Sequence, residues 1–170
     1  MNNYEIIDNV LPKESFEFIS DYMKNSSIWN LDMISDKGSA FIPGRVLYDE
    51  ALGIVQDLKE TAVLSFVFTL IRDKSKSPLS SHLKRIHIGA KPPLIDDKIH
   101  TDSGDGDYTV LYYTNKTWSK SWGGQTIVDG KKVDYVPNRA VIYKADVPHG
   151  GKGPTHPVLR TYVNYVVKSK

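Results

Sequence analysis

The chain has 170 residues, a formal net charge of +2 and 40% hydrophobic residues, which suits a single domain with one core. It contains no cysteine, which excludes disulfide scaffolds, thiolate metal sites, iron–sulfur clusters and a cysteine nucleophile. Positive and negative charges are evenly mixed, so no nucleic-acid partner is expected. The N-terminal residues lack a basic flank and an apolar signal core, so no leader is expected, and the most apolar stretch, Ala62 to Ile71, is too short to span a membrane. We therefore expect a cytoplasmic protein without a membrane partner.

The first half of the chain has the periodicity of helices. A helix is predicted from Leu11-Pro12 to about Lys24, with its end at Asn25-Ser26-Ser27. The polar segment from Ser35 to Gly44 is predicted to be a loop. A second helix is predicted from about Glu50 to Asp73, although β-branched residues near its end leave a strand open there. The apolar stripes consist of Phe16, Ile19, Tyr22 and Met23 in the first helix, and of Leu52, Val55, Leu58, Ala62 and Phe66 in the second.

The second half of the chain has the pattern of short strands separated by turns. Asp129-Gly130 predicts a two-residue hairpin turn, and Ser75 to Ser81 predicts a loop. Helices followed by strands indicate an α+β domain whose helices pack outside a sandwich or barrel. The predicted strands are Leu83–Gly89, Asp107–Thr114, Gln125–Val128, Lys132–Val136, Arg139–Lys144 and Val158–Val167.

Two histidines and one aspartate form a candidate metal site. His100 and Asp102 stand two residues apart, so on an extended segment both side chains point to the same face. His149, at the end of a predicted strand, is the best candidate for a third ligand. Two imidazoles and one carboxylate form a facial triad that leaves positions open, which favours iron(II) over a closed structural zinc site. The alternative is a solvated aspartate with an incidental histidine, and a turn histidine at position 149.

Arg160 adds a cationic position to the last predicted strand. Arg160, Tyr162 and Asn164 alternate with apolar residues and therefore share one face of that strand. A dry, unpaired guanidinium would be costly, and that cost falls if the face lines a cavity that holds a carboxylate. The alternative is an edge strand with Arg160 in water.

These residues, taken together, resemble the 2-oxoglutarate- and iron(II)-dependent dioxygenases, and most closely their prolyl-4-hydroxylase-like branch. The resemblance covers about residues 83 to 168 and includes the Tyr-Tyr-x-Asn-Lys run within Tyr108–Lys116. Gly123-Gly124-Gln125-Thr126 is similar to the family's Gly-Gly-Glu-Thr turn. The resemblance implies a double-stranded β-helix, a jelly-roll barrel with N-terminal helices packed on the major sheet. It further implies one oxygenase domain over 1–170, with a helical part over about 1–80 and the barrel core over about 83–168.

The same resemblance implies roles for individual residues. His100, Asp102 and His149 would hold iron(II), and Arg160 would bind the C5 carboxylate of the co-substrate 2-oxoglutarate. Tyr113 matches a family tyrosine whose hydroxyl bonds the same carboxylate, although core packing is an equal alternative for it. His87 and Asn164 stand where relatives often carry a tyrosine and a small hydroxyl residue, and both are candidate co-substrate contacts. Dioxygen is the second co-substrate, and the branch allows for ascorbate as an additional cofactor.

The expected activity is hydroxylation of a substrate with release of succinate and carbon dioxide. Peptidyl proline is the first substrate hypothesis, and a small metabolite, a free amino acid or a nucleobase is the alternative. Ser35–Arg45 and Pro92–Lys98 are candidate substrate-covering loops, and the small size suits a bacterial or viral enzyme. A non-catalytic jelly-roll binding protein and a cupin-type isomerase or hydrolase are the rivals, the latter weakened by the absence of a His-x-His pair. The sequence does not indicate the oligomeric state.

Overall fold

The structure, a computed structural model, describes residues 3–25, 30–34, 41–102 and 106–170. Within these ranges the chain forms two α-helices and eleven strands. None of the helices in the described ranges is long and apolar enough to cross a membrane. The helices are α1 (Lys13–Asn25) and α2 (Leu58–Lys74), and the strands are β1 (Tyr4–Ile7), β2 (Asn30–Ile34), β3 (Phe41–Asp49), β4 (Ile54–Val55), β5 (Leu79–Lys91), β6 (Asp107–Tyr113), β7 (Thr126–Val128), β8 (Lys131–Val133), β9 (Ala140–Lys144), β10 (His149–Gly151) and β11 (Arg160–Ser169).

The strands form a large sheet and a small sheet that face each other. The large antiparallel sheet has the order β1-β9-β6-β11-β5-β3-β2, with β4 paired to β3, and the small sheet has the order β10-β7-β8. Both helices contribute to the core on one face of the large sheet. On this face the Tyr165 hydroxyl donates to the Leu64 carbonyl of α2 over 2.9 Å. The α+β class with helices packed on the major sheet is therefore confirmed.

The opposite face of the large sheet turns toward the small sheet. A second apolar cluster lies between them and contains Leu111, Tyr113 and Tyr143 from the large sheet and Val128 from the small one. Side chains on successive positions of a strand alternate between faces, so each central strand supplies one row to the helices and one row to this interior. The interior row is where the functional site lies.

The first predicted helix is confirmed as α1, and it buries Phe16, Ile19 and Met23 as its apolar stripe predicts. The predicted end of this helix includes Ser26 and Ser27, which lie outside the described residues. A surface helix is well encoded by local spacing, because its buried residues recur every three or four positions.

The predicted stripe of the second helix is wrong. The helix begins only at Leu58, and residues before it form a turn and β4, with Gly53 in a left-handed conformation. Leu52, Leu58 and Phe66 are exposed, whereas α2 buries Leu64, Val67, Phe68 and Ile71. The physical reason is that this segment is apolar nearly all round, so periodicity alone does not select the buried face.

The part predicted as helical, about residues 1–80, also contains strands, and five of them begin within it. Strand β3 covers Phe41 to Asp49, where the end of the Ser35–Gly44 loop was predicted; residues 35–40 lie outside the described part. The predicted loop from Ser75 to Ser81 ends early, since β5 begins at Leu79. Strand β3 is stabilised by pairing with the distant β5, and local sequence does not encode a distant partner.

The strands predicted in the second half are present, with small shifts at their ends, and β10 is added to them. The predicted hairpin turn is confirmed: Asp129 and Gly130 connect β7 to β8, with φ values of 50° and 70°. Two consecutive positive φ values define a type I′ turn, which asparagine, aspartate and glycine tolerate best.

Candidate metal and co-substrate site

A cavity of about 300 Å³ lies between the two sheets. Its walls are inward-facing side chains of β5, β6, β9 and β11 on the large sheet and residues of β7 and β10 on the other side. His100, Asp102, His149 and Arg160 all line this one cavity. The structure therefore brings the four central residues of the sequence prediction into a single pocket.

His100, Asp102 and His149 converge at one wall of the pocket. Each offers one ligand atom, and these atoms lie within 4.8 Å of one another. The distance from His149 Nε2 to the Asp102 carboxylate is 3.5 Å. Backbone hydrogen bonds fix the convergence, because the His100 and His149 amides each donate to the other residue's carbonyl over 2.9 and 2.8 Å. The Asp102 amide donates to the Ala145 carbonyl over 2.8 Å.

Neighbouring groups orient all three candidate ligands. His100 Nδ1 donates to the Lys98 carbonyl over 2.9 Å, and His149 Nδ1 donates to the Val147 carbonyl over 2.8 Å. Each Nδ1 therefore carries the proton, and each Nε2 presents a lone pair to the pocket. The Thr109 hydroxyl donates to the Asp102 carboxylate over 2.6 Å. These are the supporting contacts that metal-binding imidazoles and carboxylates require.

Electrostatics also favour a metal at this position. Burial lowers the pKa of His149 below its ordinary value, which keeps its imidazole neutral and able to ligate. Two imidazoles and one carboxylate, arranged on one side, match a facial triad with open positions on the pocket side. The residues present therefore fit a divalent ion such as iron(II).

Arg160 lies at the start of β11 and is only 1% exposed. Its Nε donates to the Gly124 carbonyl over 2.8 Å, and its Nη2 donates to the Thr126 hydroxyl over 2.7 Å. Its guanidinium carbon lies 5.2 Å from the ring centres of Tyr113 and Tyr162. Strand β11 is central, between β6 and β5, so the edge-strand alternative for Arg160 is wrong.

Tyr113 is fully buried beneath Arg160 rather than along the pocket wall. Its hydroxyl shares a hydrogen bond of 2.7 Å with the Thr126 hydroxyl, which in turn accepts from Arg160. Its ring stacks on Tyr135 at 4.3 Å between centroids. This geometry makes Tyr113 a support for Arg160 through Thr126, and its direct contact with a co-substrate stays a prediction.

His87 and Asn164 face each other across β5 and β11 and both line the pocket. His87 Nε2 and Asn164 Oδ1 are buried, and neither has a hydrogen-bond partner within the described part of the chain. Burial lowers the pKa of His87 to about 3, with a smaller contribution from the neighbouring Arg85 guanidinium, so the imidazole is neutral. Both side chains are therefore free to contact a bound molecule.

An ion pair beside Arg160 was not predicted from the sequence. Lys91, 1% exposed, pairs with Asp97, and both atoms of that carboxylate are engaged, since the Gly151 amide donates to it over 2.8 Å. Lys91 lies opposite Arg160 in the pairing of β5 with β11. It is the last of the alternating β5 positions, 85, 87, 89 and 91, whose side chains point toward the small sheet. If the predicted strand had extended two residues beyond Gly89, its alternation would have predicted an inward-facing Lys91.

The segment Pro92–Lys98, predicted to cover a substrate, lies against β10 and its continuation. The Leu94 amide donates to the Pro154 carbonyl and the Asp97 amide donates to the Gly151 carbonyl, each over 2.9 Å. Asp97 from this segment lines the pocket. The other predicted covering loop falls mostly on residues 35–40, outside the described ranges.

Comparisons with known proteins place this geometry in a known fold. No protein-family model and no curated protein matches the sequence. A prolyl hydroxylase from Trichoplax adhaerens, solved with a hypoxia inducible factor peptide fragment, superposes with a TM-score of 0.72 at 18% identity, over 99% of this chain and 84% of that one. A 2OG-Fe(II) oxygenase family oxidoreductase from Burkholderia pseudomallei gives 0.69 at 13% identity, over 98% and 85%.

HygX from Streptomyces hygroscopicus, solved with nickel, 2-oxoglutarate and hygromycin B bound, gives a TM-score of 0.66 at 12% identity. The match covers 99% of this chain and 83% of that chain. All three identities are low, so these likenesses concern the fold. The chain therefore has the fold of the 2-oxoglutarate- and iron(II)-dependent oxygenases, the jelly-roll fold that prolyl hydroxylases share.

Proposed function

We propose that this chain is a 2-oxoglutarate- and iron(II)-dependent dioxygenase that hydroxylates a substrate and releases succinate and carbon dioxide. The proposal rests on one observation: an oriented His–Asp–His cluster and a buried arginine line the same cavity. The fold of the chain, shared with a 2OG-Fe(II) oxygenase family protein, supports it. We extend the proposal to one oxygenase domain over residues 1–170.

His100 Nε2, His149 Nε2 and one oxygen of Asp102 would hold the metal. When bound with 2-oxoglutarate, iron(II) supplies the activation of dioxygen and the oxidising power for hydroxylation. The chain's own task is to keep three ligand atoms on one side, so that the other side stays open to the cavity. The Lys98 and Val147 carbonyls perform this task by holding both imidazole rings.

Arg160 would bind the distal carboxylate of 2-oxoglutarate. A guanidinium matches a carboxylate in geometry as well as charge, and a charge-assisted hydrogen bond is strongest where water is excluded. Three tyrosine rings surround this guanidinium and exclude water from it: Tyr113, Tyr135 and Tyr162. Its two fixed hydrogen bonds, to Gly124 and Thr126, pre-orient it toward the cavity.

The substrate proposal is peptidyl proline, and a small metabolite or free amino acid is the alternative. The structural neighbour from Trichoplax adhaerens is a prolyl hydroxylase in complex with a peptide, which supports the first. HygX, solved with hygromycin B, supports the second. Ascorbate belongs to the proposal as an additional reductant that protects iron(II).

Turnover of 2-oxoglutarate to succinate with iron(II) and dioxygen is the direct test. His100→Ala and Asp102→Ala should abolish succinate formation. Arg160→Ala should raise the Kd for 2-oxoglutarate roughly tenfold to a hundredfold, as expected for a lost charge-assisted hydrogen bond, and Arg160→Lys should retain part of the affinity. Arg72→Ala is the matched control, because Arg72 pairs with Asp73 at the end of α2. Full succinate formation by Asp102→Ala would contradict the ligand assignment.

Two measurements separate the rivals. A non-catalytic binding protein would lack stoichiometric metal after loading with iron(II) or manganese(II). A cupin-type isomerase or hydrolase would bind metal but turn over its substrate without 2-oxoglutarate.

A further inference from the structure

A second arginine lines the same cavity at the end remote from Arg160. Arg85 projects inward from β5, and His87 and Asn164 lie between the two arginines on the cavity wall. The strand register fixes this order, since Asn164 pairs with His87 and Val166 pairs with Arg85. Positions 160 and 166 are six residues apart on extended backbone, which corresponds to about 20 Å between Cα atoms.

In the proposed function, 2-oxoglutarate binds Arg160 and the His–Asp–His cluster and does not use Arg85. Its five-carbon chain extends roughly 5 Å between terminal carbons, given carbon–carbon bonds of about 1.5 Å. With its distal carboxylate on Arg160 and its other end at the His–Asp–His cluster, it leaves the Arg85 end of the cavity for the primary substrate. This step rests on the proposed function.

The Arg85 end contains polar atoms that lack partners. Arg85 Nε, His87 Nε2 and Asn164 Oδ1 are buried without a hydrogen bond, counting only residues that the structure describes. None of the ion pairs formed within the same residues includes Arg85. A buried donor or acceptor without a partner is costly, and that cost is removed by a bound molecule of complementary chemistry.

The three groups specify that chemistry. A guanidinium matches a carboxylate in charge and in hydrogen-bond geometry. The Asn164 oxygen only accepts, so it requires an N–H or O–H on the same ligand. The neutral His87 imidazole can complete the set as donor or acceptor. We propose that Arg85, His87 and Asn164 bind an amino-acid-like group of the primary substrate, in which a carboxylate and an N–H lie close together.

This chemistry has two sources: a free amino acid, or an acidic residue beside the target residue of a peptide. Matched pairs distinguish them. For a free amino acid, L-proline is compared with L-prolinamide. For a peptide, a terminally blocked peptide with glutamate next to proline is compared with the same peptide in which glutamine replaces the glutamate. Binding is measured by calorimetry on protein loaded with manganese(II) and 2-oxoglutarate, and stimulated succinate formation is measured with iron(II).

In one of the two pairs, we expect the carboxylate compound, L-proline or the glutamate peptide, to bind at least tenfold more tightly than its amide counterpart, L-prolinamide or the glutamine peptide. Arg85→Gln should remove this preference, Arg85→Lys should retain part of it, and Arg72→Gln should retain all of it. Thermal unfolding of each variant checks that it is folded. Absence of any preference, or of any binding, in both arms overturns the proposal.

A second outcome also overturns it: if Arg85→Gln weakens 2-oxoglutarate binding as strongly as Arg160→Gln, Arg85 belongs to the co-substrate. The substrate inference and the proposed oxygenase function fail in distinguishable ways. A wild-type protein that forms succinate without acid preference rejects only the substrate inference. A wild-type protein that neither binds 2-oxoglutarate nor forms succinate rejects the oxygenase function together with it.

Discussion

Replacing Asp97 by asparagine should expose the cost of a buried cation beside the Arg160 pocket. Asp97 is the ion-pair partner of Lys91, a side chain only 1% exposed. Lys91 Cε and Arg160 Nη1 lie 3.0 and 3.3 Å from where a Cβ on Gly151 would stand, so two cations approach each other here. The asparagine oxygen can still accept from the Gly151 amide, so the substitution removes the charge and keeps this contact.

Breaking a buried ion pair by removing one partner costs about 3–5 kcal/mol, because the remaining charge is left without compensation. We expect a loss of this size in Asp97→Asn at pH 7. Burial lowers the pKa of Lys91, and the Asp97 carboxylate opposes that effect, so the pKa falls further without Asp97. Between the folded pKa and the higher unfolded pKa, the unfolded chain binds more protons, so stability rises with pH. The deficit of the variant should therefore shrink as pH rises from 7 toward 10.

Urea unfolding at pH 7 and pH 9.5 measures both effects. Lys91→Met is the partner variant, and combining it with Asp97→Asn should recover much of the lost stability, since no unpaired charge then remains. A stability of Asp97→Asn within 1 kcal/mol of wild type at pH 7, or a deficit that does not change with pH, would show that Lys91 does not carry this cost.

Three further predictions concern the same pocket. The free energy of unfolding of the wild type should fall as pH falls through 6.5, because burial lowers the pKa of His87 to about 3. By pH 5 this loss amounts to at most about 2 kcal/mol. Urea unfolding of His87→Leu should not show this pH-dependent loss. Gly89→Ala would place its Cβ 2.4 Å from the Tyr162 ring and should cost about 1–3 kcal/mol in thermal unfolding, whereas unchanged stability would mean that the ring moves freely. Manganese(II) at 100 times its Kd should stabilise the wild type by about 2.7 kcal/mol, and equal stabilisation of Asp102→Ala would argue against Asp102 as a ligand.

Features encoded by neighbouring residues follow from the amino-acid sequence alone. The spacing of His100 and Asp102 predicted a shared face, and the alternation around Arg160 predicted an inward guanidinium; the structure has both in one cavity. Helix α1 and the Asp129-Gly130 turn follow from periodicity and backbone preference, which neighbouring residues encode.

Which residues surround those groups depends on how distant segments pack together. Local periodicity placed Leu52 on a buried helical stripe, but its segment is exposed, because burial depends on what packs against a segment rather than on its own pattern. The Tyr113 hydroxyl bonds Thr126, and His87 pairs with Asn164, through strand register set between distant parts of the chain. A one-residue shift in register would turn every such side chain to the other face, so the whole sheet, and no single segment, determines the contents of the pocket.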